Sequence, residues 1–251
     1  MSVCALTCCI ALSVPCLAQA NPWNGSWKLE TGSVKYEGPV FSVKTAADGI
    51  TVTRYGKTEA KEMCDGKQHA GMNGEMVTCT KSGTDYRFEY TKDGKTTAKV
   101  MLTLEDGGKM SKRTIEVYPA GEPSYEVITE AKRLSGGPGL DGTWKRVTFK
   151  EPQDTGILSI DVHGDMVAFK ETDNDKPIEC KLDGAPTKFG DRTMAMKLDG
   201  SHTLKVWYRG SDGKLQRSNT FVLSADGKTI HETDVTPAPT PSTMWETFHK
   251  S

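Results

Sequence analysis

Nothing in these 251 residues reads as a helix. No window of ten or more residues carries apolar side chains at helical spacing, and 25 Gly and 12 Pro interrupt the chain too often to permit one. Charge of one sign is also missing, because 32 Lys and Arg are interspersed with 33 Asp and Glu. That balance leaves no basic stripe for a phosphate backbone, so nucleic acid is disfavoured as a partner. Lys outnumbers Arg three to one, which suits solvated strand faces better than anion recognition. No apolar run approaches the roughly 20 residues that a spanning helix needs, so no membrane span is expected. The motifs of catalysis are absent as well: Gly-x-Ser-x-Gly, His-Glu-x-x-His and the Gly-rich phosphate loops. There is no Cys-x-x-Cys, and Asp173-Asn174-Asp175 lacks the Gly and distant Glu of a calcium loop. No catalytic residue, metal ligand or cofactor is therefore assigned, and the protein is not expected to be an enzyme.

What is present begins with an uncharged stretch. Met1 to Ala20 has an apolar centre at Ile10-Ala11-Leu12 and ends in Ala18-Gln19-Ala20. This reads as a secretory signal peptide cut after Ala20, and it places the protein in the periplasm or outside the cell. Cys4, Cys8, Cys9 and Cys16 leave with it, so Cys64, Cys79 and Cys180 remain. In an oxidising compartment Cys64 and Cys79 are expected to form a disulfide. Closing that loop of about 15 residues contributes on the order of 3 kcal/mol. Cys180 is then an odd, buried thiol. Asn24-Gly25-Ser26 fits a glycosylation sequon, which matters only in a eukaryotic source.

The remainder repeats itself. Gly25-Ser26-Trp27 returns as Gly142-Thr143-Trp144, Cys64 as Cys180, and Pro119 to Ser124 as Pro237 to Ser242 with four of six residues identical. The offset drifts slowly between 116 and 120, as a tandem duplication with small loop changes would make it. The five histidines at 69, 163, 202, 231 and 249 do not recur at equivalent positions. Two modules follow, at residues 21–134 and 140–251, joined by Ser135-Gly136-Gly137-Pro138-Gly139. Asp-Gly occurs nine times and supplies the positive φ values of tight hairpin turns. Between these turns the pattern has period two. Ala98, Val100, Leu102 and Leu104 alternate with polar neighbours, as do Leu158, Ile160 and Val162. The fold class is all-β: two tandem antiparallel up-and-down barrels, each closed by about eight to ten strands of its own half.

A Gly-x-Trp opening the first strand of a small secreted antiparallel barrel resembles the lipocalins and the wider calycin group, in particular bacterial secreted proteins with lipocalin-like repeats. The resemblance implies that Trp27 and Trp144 plug the closed ends of the barrels. It also implies a basic cover for each plug, Lys132 or Arg133 in the first module and Lys250 in the second.

Tyr86, Phe88 and Tyr90 share one face of a strand and align with Leu204, Val206 and Tyr208. If that face points inward, Tyr86, Phe88, Tyr90 and Tyr208 are the candidate ligand-binding residues. Trp207 lies on the opposite face and is expected at a contact between modules or with a partner. Two functions remain open. One is a carrier of a small apolar or amphipathic molecule. The other is a module that binds or inhibits an envelope or secreted protein through its loops, with filled barrels. A continuous cavity of about 300 Å³ or more would favour the carrier.

Overall fold

A computed structural model describes residues 21–251 except 72–73, 122, 151–155 and 172–175. The proposed signal peptide and Asp173-Asn174-Asp175 lie outside the described residues. Strand accounts for 68% and helix for 3%, the latter in single 3-10 turns such as Thr31–Ser33 and Asp106–Gly108. The strands form where side chains alternate, so that one face is apolar and the other wet. Along Ile157–His163, Leu158, Ile160 and Val162 are buried and their neighbours are not. Asp93 and Gly94, at φ 51° and 74°, turn one strand tightly into the next. Two consecutive positive φ values are what a two-residue hairpin turn needs, and Gly supplies one without a steric cost.

The chain forms two nearly closed antiparallel barrels. Strands β1 (Gly25–Leu29) and β2 (Lys35–Glu37) come first. Then follow β3 (Val40–Ala46), β4 (Gly49–Arg54), β5 (Lys57–Met63), β6 (Gln68–Ala70) and β7 (Met76–Ser82). The first barrel continues through β8 (Asp85–Lys92), β9 (Lys95–Glu105), β10 (Met110–Val117), β11 (Tyr125–Ser135) and β12 (Gly142–Lys150). Its order is β5-β4-β3-β12-β11-β10-β9-β8-β7-β6. The second barrel uses β13 (Ile157–His163), β14 (Met166–Lys170), β15 (Ile178–Lys181), β16 (Asp183–Phe189) and β17 (Arg192–Asp199). It adds β18 (Thr203–Arg209), β19 (Leu215–Leu223), β20 (Thr229–Thr236) and β21 (Ser242–Lys250). Its order is β15-β14-β13-β1-β21-β20-β19-β18-β17-β16, with β2 also paired to β21.

The two barrels do not coincide with the two sequence repeats. The first is a continuous segment, residues 40–150. The second is 157–251 completed by β1, which pairs with β13 on one side and β21 on the other. The expected boundary at 134–140 is therefore corrected: β12 belongs with β11 and β3 of the first barrel. Ser135 to Gly139 is not a linker between barrels but the turn between adjacent strands β11 and β12. The chain passes between barrels at Gly38 and Pro39. There the Gly38 N–H donates to the Arg146 carbonyl at 2.8 Å, and the Arg146 N–H donates to the Pro39 carbonyl at 3.2 Å. The physical reason is proximity. A hairpin joins β12 to β11 across a short loop, and β1 takes the matching slot between β13 and β21.

Both indoles are fully buried plugs, in each other's expected barrel. Trp27 sits in the core of the second barrel with Trp23, Phe169 and Phe221, and Trp144 sits in that of the first. Each indole N–H donates to the carbonyl four residues earlier, Trp27 to Trp23 and Trp144 to Leu140. The basic covers re-pair accordingly. Arg133 stacks over Trp144 at 4.2 Å from the ring centroid, and Lys250 lies over Trp27 at 5.1 Å. Arg133 also donates to the carbonyls of Gly108, Gly137, Gly139 and Asp141, which pins the β11–β12 turn.

A side chain beside each plug strand holds the next strand. Asn24 accepts from the Val162 N–H at 2.7 Å and donates to its carbonyl. Asp141, its repeat equivalent, accepts from the N–H and hydroxyl of Thr45. The Asn24 amide of the sequon is thus committed to β13. The Cys64–Cys79 disulfide forms as expected and ties β7 to the residue after β5, across the seam where β5 and β6 are not paired. Cys180 is a buried free thiol.

Candidate functional site

The first barrel encloses a cavity of about 720 Å³. Its floor is Trp144 and Leu140, with Phe41, Val43 and Ile50 beside them. Strand register sets the opposite end at the β10–β11 loop, where Tyr118, Pro119 and Ala120 line the opening. Phe88 and Val100 face each other across β8 and β9 and form part of the wall. Apolar floor and walls can hold a hydrocarbon, and the volume lies in the range of small-molecule sites. A smaller cavity of about 210 Å³ sits at the unpaired seam and shares Glu59, Ala60 and Glu62 with the larger one.

Above the floor the lining becomes charged. Arg54, Arg113 and Arg146 all face the cavity, with Glu59, Glu62 and Glu75. Arg54 pairs with Glu59 at 2.9 Å, and Glu75 accepts from the Thr97 hydroxyl at 2.9 Å. Burial pushes the Glu62 carboxyl above the ordinary carboxylate range, toward its neutral form. Arg113 is set deep in the barrel, and among the described residues it has no ion pair. Burial lowers its affinity for the proton, Tyr90 offsets part of that, and Arg146 and Arg54 lower it further. Burial likewise depresses Arg146, which the Tyr36 hydroxyl supports from β2.

At the equivalent place the second barrel carries an ion network. Tyr90 of the first faces Ala98 across the sheet, while Tyr208 of the second faces Arg217. Arg217 lies 2.8 Å from Asp234, 3.7 Å from Glu171 and 3.9 Å from Glu232. The Tyr208 hydroxyl donates to Glu171 at 3.1 Å, and Asn219 donates to Glu232 in a short bond. Glu232 faces Glu246 on the adjacent strand, and both are buried. Burial first, and then Glu246, drive the Glu232 carboxyl well above its ordinary range. At this position the first barrel has Ala98 where the second has Arg217.

No protein-family model and no curated protein matches the sequence.

The structure divides the residues singled out from sequence. Phe88 and Tyr90 line the cavity. Tyr86 is fully buried in the core behind them, its ring nearly parallel to Phe88 at 6.4 Å between centroids. Tyr208 lies in the filled barrel, its hydroxyl taken by Glu171 and its ring beneath Arg217. Trp207 is half-buried on the outer face, and its cross-strand neighbours Ala195 and Ser218 belong to its own barrel. Gly38 and Pro39, just after β2, bond to Arg146 of the first barrel. Sequence reading missed the arginines. A signal existed for Arg113, which occupies an inward position in the alternating set Ser111, Arg113, Ile115 and Val117.

Proposed function

We propose that the protein is a secreted or periplasmic carrier in which the first barrel holds a small apolar or amphipathic molecule. The second barrel serves as a filled scaffold. The observation that carries this reading is the asymmetry between repeats: about 720 Å³ lies above Trp144, where the other copy packs an ion network. A chain that needed both copies only for stability would gain from filling both, because a core void costs packing energy. Retaining the void in one copy alone fits a site for a guest. The disulfide across the seam suits an oxidising compartment and holds this barrel's shape without a filled core.

The test is a neutral apolar fluorophore, N-phenyl-1-naphthylamine, whose emission rises on transfer from water. Emission should rise with the native protein and fall away in Ala98→Trp, which occupies the cavity opposite Tyr90. Undiminished emission from that variant would put the probe outside the barrel and defeat the carrier reading. The other function, contact with an envelope or secreted protein, fits the second barrel, whose interior leaves only the outer surface and loops for recognition.

A further inference from the structure

We propose that the cavity of the first barrel takes its ligand by an anionic head group, a carboxylate, sulfate or phosphate, seated on Arg113 with Arg146 and Arg54 beside it. The apolar remainder then lies against the Trp144 floor. This deepens the carrier reading and rests on it.

The argument begins with the two copies. Arg113 faces Leu102 on one side and Thr129 on the other. At the matching place in the second barrel, Glu232 faces Phe221 and Glu246. The interior charge is thus inverted between copies. In the second barrel the charges are answered within the chain, since Arg217 meets Asp234, Glu171 and Glu232. In the first, the Arg is present and no carboxylate among the described residues answers it.

The carboxylates near Arg113 are already engaged. Glu59 is held by Arg54, Glu75 by Thr97, and Glu62 is pushed toward neutrality by burial. Among the described residues, the charged or ionisable groups that act on Arg113 are Tyr90, Arg146 and Arg54. A half-buried cation inside the barrel, with no carboxylate partner among the described residues and like charges near it, is destabilising by itself. An anion that enters the cavity relieves that state and meets a planar, desolvated donor fork suited to two oxygens. Thr129 and Ser111, both buried hydroxyl residues in the lining, stand next to it as further donors. Below them the floor offers only hydrocarbon and indole, so a bare inorganic anion would leave that part of the cavity unused. Head and tail are both provided for.

Calorimetric titration of the full chain with dodecanoate, dodecyl phosphate and dodecan-1-ol, each below its aggregation concentration, tests this. The native protein should bind one or both anions at least about tenfold more tightly than the alcohol, the scale of a charge-assisted bidentate bond. Which anion is tighter separates a carboxylate from a phosphate head group. Arg113→Met should cut the anion's advantage over the alcohol several-fold, with the variant's fold checked by its circular dichroism and denaturant midpoint. If the native protein binds dodecan-1-ol as tightly as both anions, the anionic head group is overturned and the carrier reading stands. Binding of none of the three, with N-phenyl-1-naphthylamine also excluded, would overturn both.

Discussion

The Lys250 ammonium lies 5.1 Å from the centre of the Trp27 ring, so strands from opposite ends of the sequence meet at the floor of the second barrel. Arg133 and Trp144 make the same arrangement in the first barrel, across a short hairpin. Each plug therefore serves the barrel that its own repeat does not begin.

Trp27→Ala should damage the second barrel and Trp144→Ala the first. Each loses roughly 3–5 kcal/mol, the scale for truncating a fully buried aromatic. Amide hydrogen exchange checks the assignment. Exchange should accelerate in β13 and β21 for Trp27→Ala, and in β3 and β11 for Trp144→Ala. Acceleration in β3 upon Trp27→Ala would contradict the strand pairing described above.

Removing the disulfide by Cys64→Ala with Cys79→Ala should lower the stability of the first barrel by about 3 kcal/mol in the chain-entropy model. The second barrel, which has no such bond, should unfold as before. Denaturant unfolding followed by exchange in each barrel separates the two. An equal loss in both would show that the barrels unfold as one unit.

The two inward arginines, Arg113 and Arg217, should respond in opposite directions. Arg217→Met leaves Asp234 and Glu171 without their cation; with the Arg217 side chain 36% exposed, the loss should be about 1–2 kcal/mol, less than for a fully buried pair. Arg113→Met removes a cation that has no carboxylate partner among the described residues and should stabilise the protein. Chemical denaturation of both variants decides it, and a loss in Arg113→Met would point to an internal partner.

Stability should fall as pH rises through and above the carboxylate range, in the part due to Glu232. Its folded-state pKa is raised, so the folded chain holds a proton that the unfolded chain has released. The contribution is harmless below the ordinary glutamate pKa of 4.5 and grows unfavourable above it, up to the raised folded value. Asp234 and Glu62, also raised by burial, act in the same sense. The exposed turn residues Asp65, Asp199, Asp212 and Asp226 are lowered by their hydrogen-bond partners and act in the opposite sense. Glu232→Gln isolates one group. It should be more stable than the native protein at pH 8, and the difference should shrink toward pH 4. A difference independent of pH would show that Glu232 is ionised in the fold.

The all-β class, the two barrels, the tight turns and the disulfide were legible because each is written in local pattern. Alternation marks a strand, Asp-Gly marks a turn, and two cysteines in one module behind a secretory signal mark a staple. Membership of β1 was not legible, because a repeated strand looks the same whether it opens one barrel or closes the other. Only the choice of neighbours decides that, and Trp27 carries no mark of pairing with Leu158 and Lys250. The cavity was half legible. Phe88 and Tyr90 stood out as aromatic and inward, but an open space is defined by what is small. Ala98 announces nothing until its counterpart is found to be Arg217. Arg113 broke its strand's apolar alternation, yet an inward charge gains meaning only once the carboxylates around it are known to be taken.

The placement of β1 also orders the birth of the molecule. Residues 40–150 emerge from synthesis as a complete barrel that can close at once, whereas β1 has by then been made and must stay unpaired until β13 and β21 arrive. For that interval the strand bearing Trp27 is an exposed edge, open to any other chain with the same slot. Whatever shields it during that wait protects the second barrel from joining with a neighbour's.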